Sequence, residues 1–164
     1  MKLDNLHKLF VHELKDLWSA ENQLLDALPK MAEKADHPDL KKAFQDHLVE
    51  TEEQAARLKT IFQQLDFEPG GHKCEGMEGL IEEGKDAMKI EDANVRDAAM
   101  IAAAQRVEHY EIAGYGVAST YAEKMGHSEA ANLLYKSLEE EGKTDRLLSR
   151  MAERCINFEA MVTA

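Results

Sequence analysis

The chain has little that would break a helix or staple a small fold: three prolines, two cysteines and one tryptophan in 164 residues. β-Branched residues are also few beside the abundant Ala, Leu, Glu, Lys, Gln and Met, which disfavours strands and favours helix almost throughout. Cys74 and Cys155 form neither a CxxC pair nor a disulfide framework, so reduced thiols in a cytoplasmic protein are expected. No run approaches the roughly 18 apolar residues of a membrane span, and the N-terminus lacks the apolar core of a signal peptide. A protein neither exported nor inserted is the expectation. Positive charge is in deficit: 20 basic against 32 acidic residues leave −12, which repels phosphate backbones and anionic lipid alike. Nucleic-acid and membrane partners are therefore not expected. Phosphate-binding Gly-rich loops, Gly-x-Ser-x-Gly elbows and His-Glu-x-x-His motifs are missing as well, which removes the commonest nucleotide, acyl-transfer and zinc-protease signatures.

What is present is helical periodicity. Leu6, Phe10, Leu14, Leu17, Leu24, Leu28 and Met31 predict one amphipathic helix over about 3–34, with Pro29 expected to kink it late. Ala35-Asp36-His37-Pro38-Asp39 has turn chemistry, with Asp36 or Asp39 as candidate cap. A second helix is predicted from about Leu40 to Leu65, ending at Glu68-Pro69-Gly70-Gly71. A loop and a short helix near Met77 to Met88 precede a third long helix, from Asp92 or Asn94 to Lys124, which Gly126 closes. The fourth is predicted from Ser128 to about Phe158, with Leu134, Leu138, Leu148, Ala152 and Cys155 in register. Two short turns and one long crossover give a single domain over 1–164, all-α: a ferritin-like four-helix bundle of two antiparallel hairpins with an extra short helix in the crossover.

An internal repeat supports that layout. Ala32-Glu33-Lys34 and His37 recur 90 residues later as Ala122-Glu123-Lys124 and His127. The same offset pairs Glu21 with Glu111, Leu48 with Leu138, Glu50 with Glu140 and Leu58 with Leu148. Antiparallel neighbours are in register about their joining turn, so depth can be counted from it. Glu21 and Glu50 lie fifteen residues before and fourteen after residue 36, and Glu111 and Glu140 stand likewise about residue 126. All four are predicted at one height.

Acid therefore enters each apolar seam: Glu21 between Leu17 and Leu24; His47, Glu50 and Gln54 between Phe44 and Leu58; Glu108 and Glu111 between Ile101 and Tyr115; Glu140 and Glu141 between Leu138 and Leu148. Carboxylates buried together without compensation are strongly destabilising, through desolvation and mutual repulsion. A pair of metal ions removes the conflict, and hard oxygen donors with an occasional imidazole suit iron or manganese. The candidate ligands are Glu21, His47, Glu50, Glu108, Glu111, Glu140 and Glu141, with only one of Glu140 and Glu141 able to face inward. His109 is turned about 100° from Glu108, toward the surface. The methionines at 77, 88, 100, 125, 151 and 161 read as core filler, and Gly70-Gly71-His72-Lys73-Cys74 reads as a loop.

The segments Glu13-Leu14-Lys15-Asp16-Leu17-Trp18-Ser19-Ala20-Glu21-Asn22-Gln23-Leu24, Gln105-Arg106-Val107-Glu108-His109-Tyr110-Glu111-Ile112-Ala113 and Leu138-Glu139-Glu140-Glu141 resemble the YciF-like family of bacterial stress proteins, a likeness that spans nearly the whole chain. The resemblance implies a ferritin-like, dimeric bundle with a di-metal centre. One departure from the broader ferritin-like pattern is clear: Glu50 is followed at the third position by Glu53, and Glu141 by Thr144, so neither helix carries Glu-x-x-His. The expected centre is carboxylate-rich and histidine-poor. A di-iron or di-manganese protein reacting with oxygen or peroxide, with Tyr115 or Tyr110 placed to hydrogen-bond, is the leading expectation. Iron storage and a non-enzymatic stress or structural role are the alternatives.

Overall fold

The computed structural model describes residues 2–162. Five main helices follow one another: α1 Leu6–Lys34, α2 Pro38–Gln64, α3 Glu75–Ala87, α4 Ala93–Lys124 and α5 Ser128–Met151. A five-residue π-helical turn, Ala152–Ile156, then leads into a short α6, Asn157–Val162. α1 packs along α2 and α4 along α5, the two hairpins join through α1 with α4 and α2 with α5, and α3 lies across α1 and α4. This is the predicted four-helix bundle of two hairpins, its long crossover carrying the short helix.

The helix ends differ from the sequence reading in instructive ways. α1 starts at Leu6 rather than about residue 3, capped by Asn5, whose side chain accepts the Lys8 N–H at 2.9 Å. At α2 neither Asp36 nor Asp39 is the cap; the His37 ring accepts the Asp39 N–H, and Pro38 takes the first turn, where its missing donor costs nothing. Asp36 and His37 instead donate their backbone N–H groups to buried Asp97 on α4, at 3.0 and 2.7 Å. That carboxylate pins the first turn to the other hairpin. Gly126 closes α4 as predicted: at φ 79° it allows His127 N–H to reach Ala122 O at 2.9 Å. α2 ends at Gln64, capped by Leu65, where the end was predicted; Asp66 takes the left-handed conformation at φ 56° and lets Phe67 N–H bond Phe62 O.

Two apolar clusters form the core, and they flank the level of the glutamates. One gathers Leu24, Leu28, Phe44, Met77, Met100, Ile101 and Leu148; the other gathers Phe10, Leu14, Leu17, Leu58, Ile61, Phe62, Tyr115 and Leu134. Side chains of this size stabilise by about 1.5–3 kcal/mol each when fully buried. The 90-residue repeat is visible in burial: Phe10, Val11, Leu14, Leu17, Glu21, Leu28 and Ala32 are buried, and so are Met100, Ile101, Ala104, Val107, Glu111, Ala118 and Ala122.

Candidate metal centre

On α2 the buried stripe is Phe44, His47, Thr51, Gln54 and Leu58, and on α5 it is Leu134, Ser137, Glu141, Thr144 and Leu148. Steps of three and four keep each set on one helix face, and the two stripes are themselves offset by 90 residues. α1 adds Glu21, and α4 adds Glu108, Glu111 and Tyr115, all buried. Between the apolar clusters the bundle therefore encloses four carboxyl groups, an imidazole, an amide and a phenol.

The geometry has two parts. His47 Nε2 lies 3.4 Å from Glu108 Oε1 and 3.8 Å from Glu141 Oε2, and one ligand atom from each of the three falls within 4.8 Å of the others. On the other side, the Tyr115 hydroxyl donates to Glu21 Oε1, while both Glu111 oxygens lack a partner. Gln54 crosses between α2 and α5, donating its amide N–H to Glu141 Oε1. Desolvation is the chief reason the carboxyls of Glu21, Glu108 and Glu111 are pushed well above the usual range, and mutual repulsion adds to it. Glu141 is raised by burial too, against the pull of His47 and the hydrogen bonds from Glu108 and Gln54.

Unsatisfied atoms converge here. Among the described residues, buried side-chain N and O atoms without a hydrogen-bond partner are Glu21 Oε2, both His47 ring nitrogens, Thr51 Oγ1, Gln54 Oε1, Glu108 Oε2, both Glu111 oxygens and Glu141 Oε2. All belong to this one level. Buried polar groups are ordinarily paired, and most of these are lone-pair donors. The donor set thus fits a hard cation, or a carboxylate-bridged pair of them.

Two predicted ligands stand elsewhere. Glu140 faces away from the interior, forming a two-pronged ion pair with Arg57 at 2.5 and 2.8 Å. Counting from the turn gave its height correctly but not its direction, and the inward residue is Glu141. Glu50 sits at the rim with its side chain 27% exposed, 3.6 Å from His47 Nδ1 and 3.7 Å from Lys143 Nζ. The His47 contact, opposed by partial burial, leaves its carboxyl below the ordinary value. Gln54 and Thr51 complete the cluster. The stripe of Ser137, Thr144, Thr51 and Gln54 was their signal, since small polar residues at core spacing mark the inward face as surely as Leu does.

Tyr110 does not share the centre. Its hydroxyl donates to Asp16 Oδ2 at 2.6 Å, where the Cys74 thiol at 3.1 Å and His72 Nε2 on Oδ1 at 2.9 Å also meet. Cys74 Sγ in turn accepts the Met77 N–H and so caps α3. The loop that reads as plain turn chemistry therefore locks the crossover onto α1 and α4.

Fold and site define a four-helix-bundle protein with a buried, carboxylate-rich centre. Residues 5–161 match the family described as a domain of unknown function, DUF892, and the chain belongs to that family. It is 43% identical over 162 residues to the Escherichia coli K12 protein YciF, covering 98% of each chain. The crystal structure of that stress protein superposes with a TM-score of 0.90 at 44% identity, over 94% of this chain and 98% of the other. YcfI of Rhodopseudomonas palustris gives 0.87 at 40% identity, over 90% and 95%. A Xanthomonas campestris protein, 20% identical with a TM-score of 0.74 over 91% and 92%, shares the fold.

Proposed function

We propose that this chain is a cytoplasmic bacterial stress protein whose buried carboxylates hold two iron or manganese ions, in the manner of ferritin-like di-metal proteins. The observation that carries the reading is the convergence of unpartnered Glu21, His47, Glu108, Glu111 and Glu141 atoms at one depth. Such a cluster is destabilising on its own and has a physical rationale as a ligand set. Glu21, Glu108, Glu111 and Glu141 with His47 are the ligands, and Glu50 is a rim carboxylate able to swing in. When bound, the ions supply one-electron redox chemistry toward oxygen or peroxide. Tyr115 orients Glu21 through its hydrogen bond, Gln54 orients Glu141, and the flanking apolar clusters exclude bulk water. Phe158, Met161 and Val162 on α6 are largely exposed, an apolar tip that a second copy would cover in a homodimer.

The test is elemental analysis of protein produced with iron and manganese, against a variant with Glu21, Glu50 and Glu111 changed to Ala. About two ions per wild-type chain and none in the variant are expected. Equal metal in both, with no oxygen or peroxide consumed when iron is added, would instead leave a purely structural stress protein. Sedimentation as a dimer rather than a large shell separates the reading from cage-type iron storage.

A further inference from the structure

The end of the bundle where α1 turns into α2 brings together three metal-ligating side chains that the carboxylate centre does not use. Cys155 Sγ lies 3.7 Å from His37 Nε2 and 3.0 Å from Glu159 Oε1, and one ligand atom from each residue falls within 4.8 Å of the others. Cys155 is fourteen residues beyond Glu141, so at 1.5 Å per residue the two clusters stand roughly 20 Å apart. With zinc–sulfur and zinc–nitrogen bonds of about 2.3 and 2.1 Å, tetrahedral geometry separates sulfur from nitrogen by about 3.6 Å. The Cys155–His37 separation is close to that spacing, and the Cys155 thiol, which now donates to Glu159 at 3.0 Å, would open by about half an ångström to admit the ion.

Two local devices build the arrangement. Leu148, Ala152 and Cys155 have core spacing, so an unbroken α-helix would turn the thiol inward. The π turn Ala152–Ile156, closed by Asn157 N–H on Ala152 O, adds a residue to the turn. Ile156 is buried in consequence, and Cys155 is left half-buried, facing the first hairpin. π turns of this kind recur at functional sites. His37 is held from two sides: its backbone N–H donates to Asp97, and its ring Nδ1 accepts the Asp39 N–H. In this tautomer Nε2 carries the ring proton and faces the thiol. A surface cavity of about 380 Å³, with Asp39, Asp46, Lys42, Arg150 and Arg154 in its walls, opens beside the three.

We propose that His37, Cys155 and Glu159 form a second metal site, for one borderline divalent cation of the zinc class, with water in the fourth position. Thiolate, imidazole and carboxylate are a zinc-type donor set, unlike the oxygen-rich set inside the bundle. Binding replaces the Cys155 S–H proton, which leaves to solvent. The proton on His37 Nε2 moves to Nδ1, so the Asp39 capping bond is given up and one proton is released per ion. Coordination ties the last turn of the chain to the start of α2.

Cobalt(II), a spectroscopic stand-in for zinc, tests this on the full-length protein, because only a thiolate ligand gives an intense near-ultraviolet charge-transfer band. Three equivalents, one beyond the two that the carboxylate centre would take, should produce the band, zinc should abolish it, and Cys74→Ser and Glu111→Gln should retain it. Cys155→Ser should lose it, and His37→Ala should weaken affinity at least tenfold. Zinc should also raise the unfolding midpoint of the wild type and not of Cys155→Ser. Absence of the band once three equivalents of cobalt are present, or its persistence in Cys155→Ser, would overturn the assignment.

Discussion

The Tyr115 hydroxyl on α4 donates to the Glu21 carboxyl on α1, and both side chains are fully buried. Removing the donor leaves a second Glu21 oxygen without a partner in a site where water cannot replace it. Tyr115→Phe should therefore destabilise the metal-free protein by about 1–3 kcal/mol, read from urea unfolding. The ring remains, so the fold and the apolar packing persist.

Glu111 gives the opposite expectation. Neither oxygen has a partner, and burial, then Glu21, Glu141 and Glu108, oppose its ionisation. Glu111→Gln keeps the shape and removes the cost of holding a buried acid protonated at neutral pH, so the metal-free protein should gain on the order of 1–3 kcal/mol, while bound iron or manganese falls below half. Calorimetry and elemental analysis on one preparation check both. Loss of stability together with loss of metal would count against a ligand role.

Glu140 and Glu141 are neighbours in sequence with different predicted phenotypes. Glu140 neutralises Arg57, which also meets Ser137 at 3.0 Å and Glu53 at 3.0 Å. Glu140→Gln should cost about 1–3 kcal/mol of stability and leave metal content unchanged, whereas Glu141→Gln should lose metal. Side-by-side stoichiometries and unfolding curves decide the pair.

How far the sequence was legible follows from these two residues. Helices, turns and the crossover were readable because apolar spacing and Gly126 report local backbone preferences. Height along the bundle was readable too, since each residue adds a fixed rise. Rotation about the helix axis was not, because one residue turns the side chain by about 100°. Leu138 drew the eye to the wrong azimuth on α5, while Ser137 and Thr144, small enough to sit inside, marked the right one. The π turn left no pattern: Cys155 keeps core spacing in sequence and loses it only through a single added backbone residue.

Asp16 contributes to the acid limb. Partial burial would raise its carboxyl, but hydrogen bonds from Tyr110, Cys74 and His72, together with the His72 charge, hold it below the usual value. The unfolded chain then binds more protons than the native one in this range, so stability falls as pH drops. The contribution is present above the unfolded value of about 3.9 and disappears as pH passes down through the native one. Asp16→Asn should be less stable at neutral pH and show a flatter loss between about pH 4 and 2, measured by chemical denaturation across that window.

The two hairpins repeat each other in burial and in the pair Glu21 and Glu111, but not in the rest of their chemistry. Where the first offers His47, its counterpart 90 residues on is Ser137; where the second offers Glu141, the first has Thr51; and Glu108 answers to Trp18. Imidazole enters this level from α2 alone and meets Glu108 and Glu141, while Glu21, Glu111 and Tyr115 offer only oxygen. A cation held near His47 would therefore meet a different set of donor atoms from one held by Glu21 and Glu111.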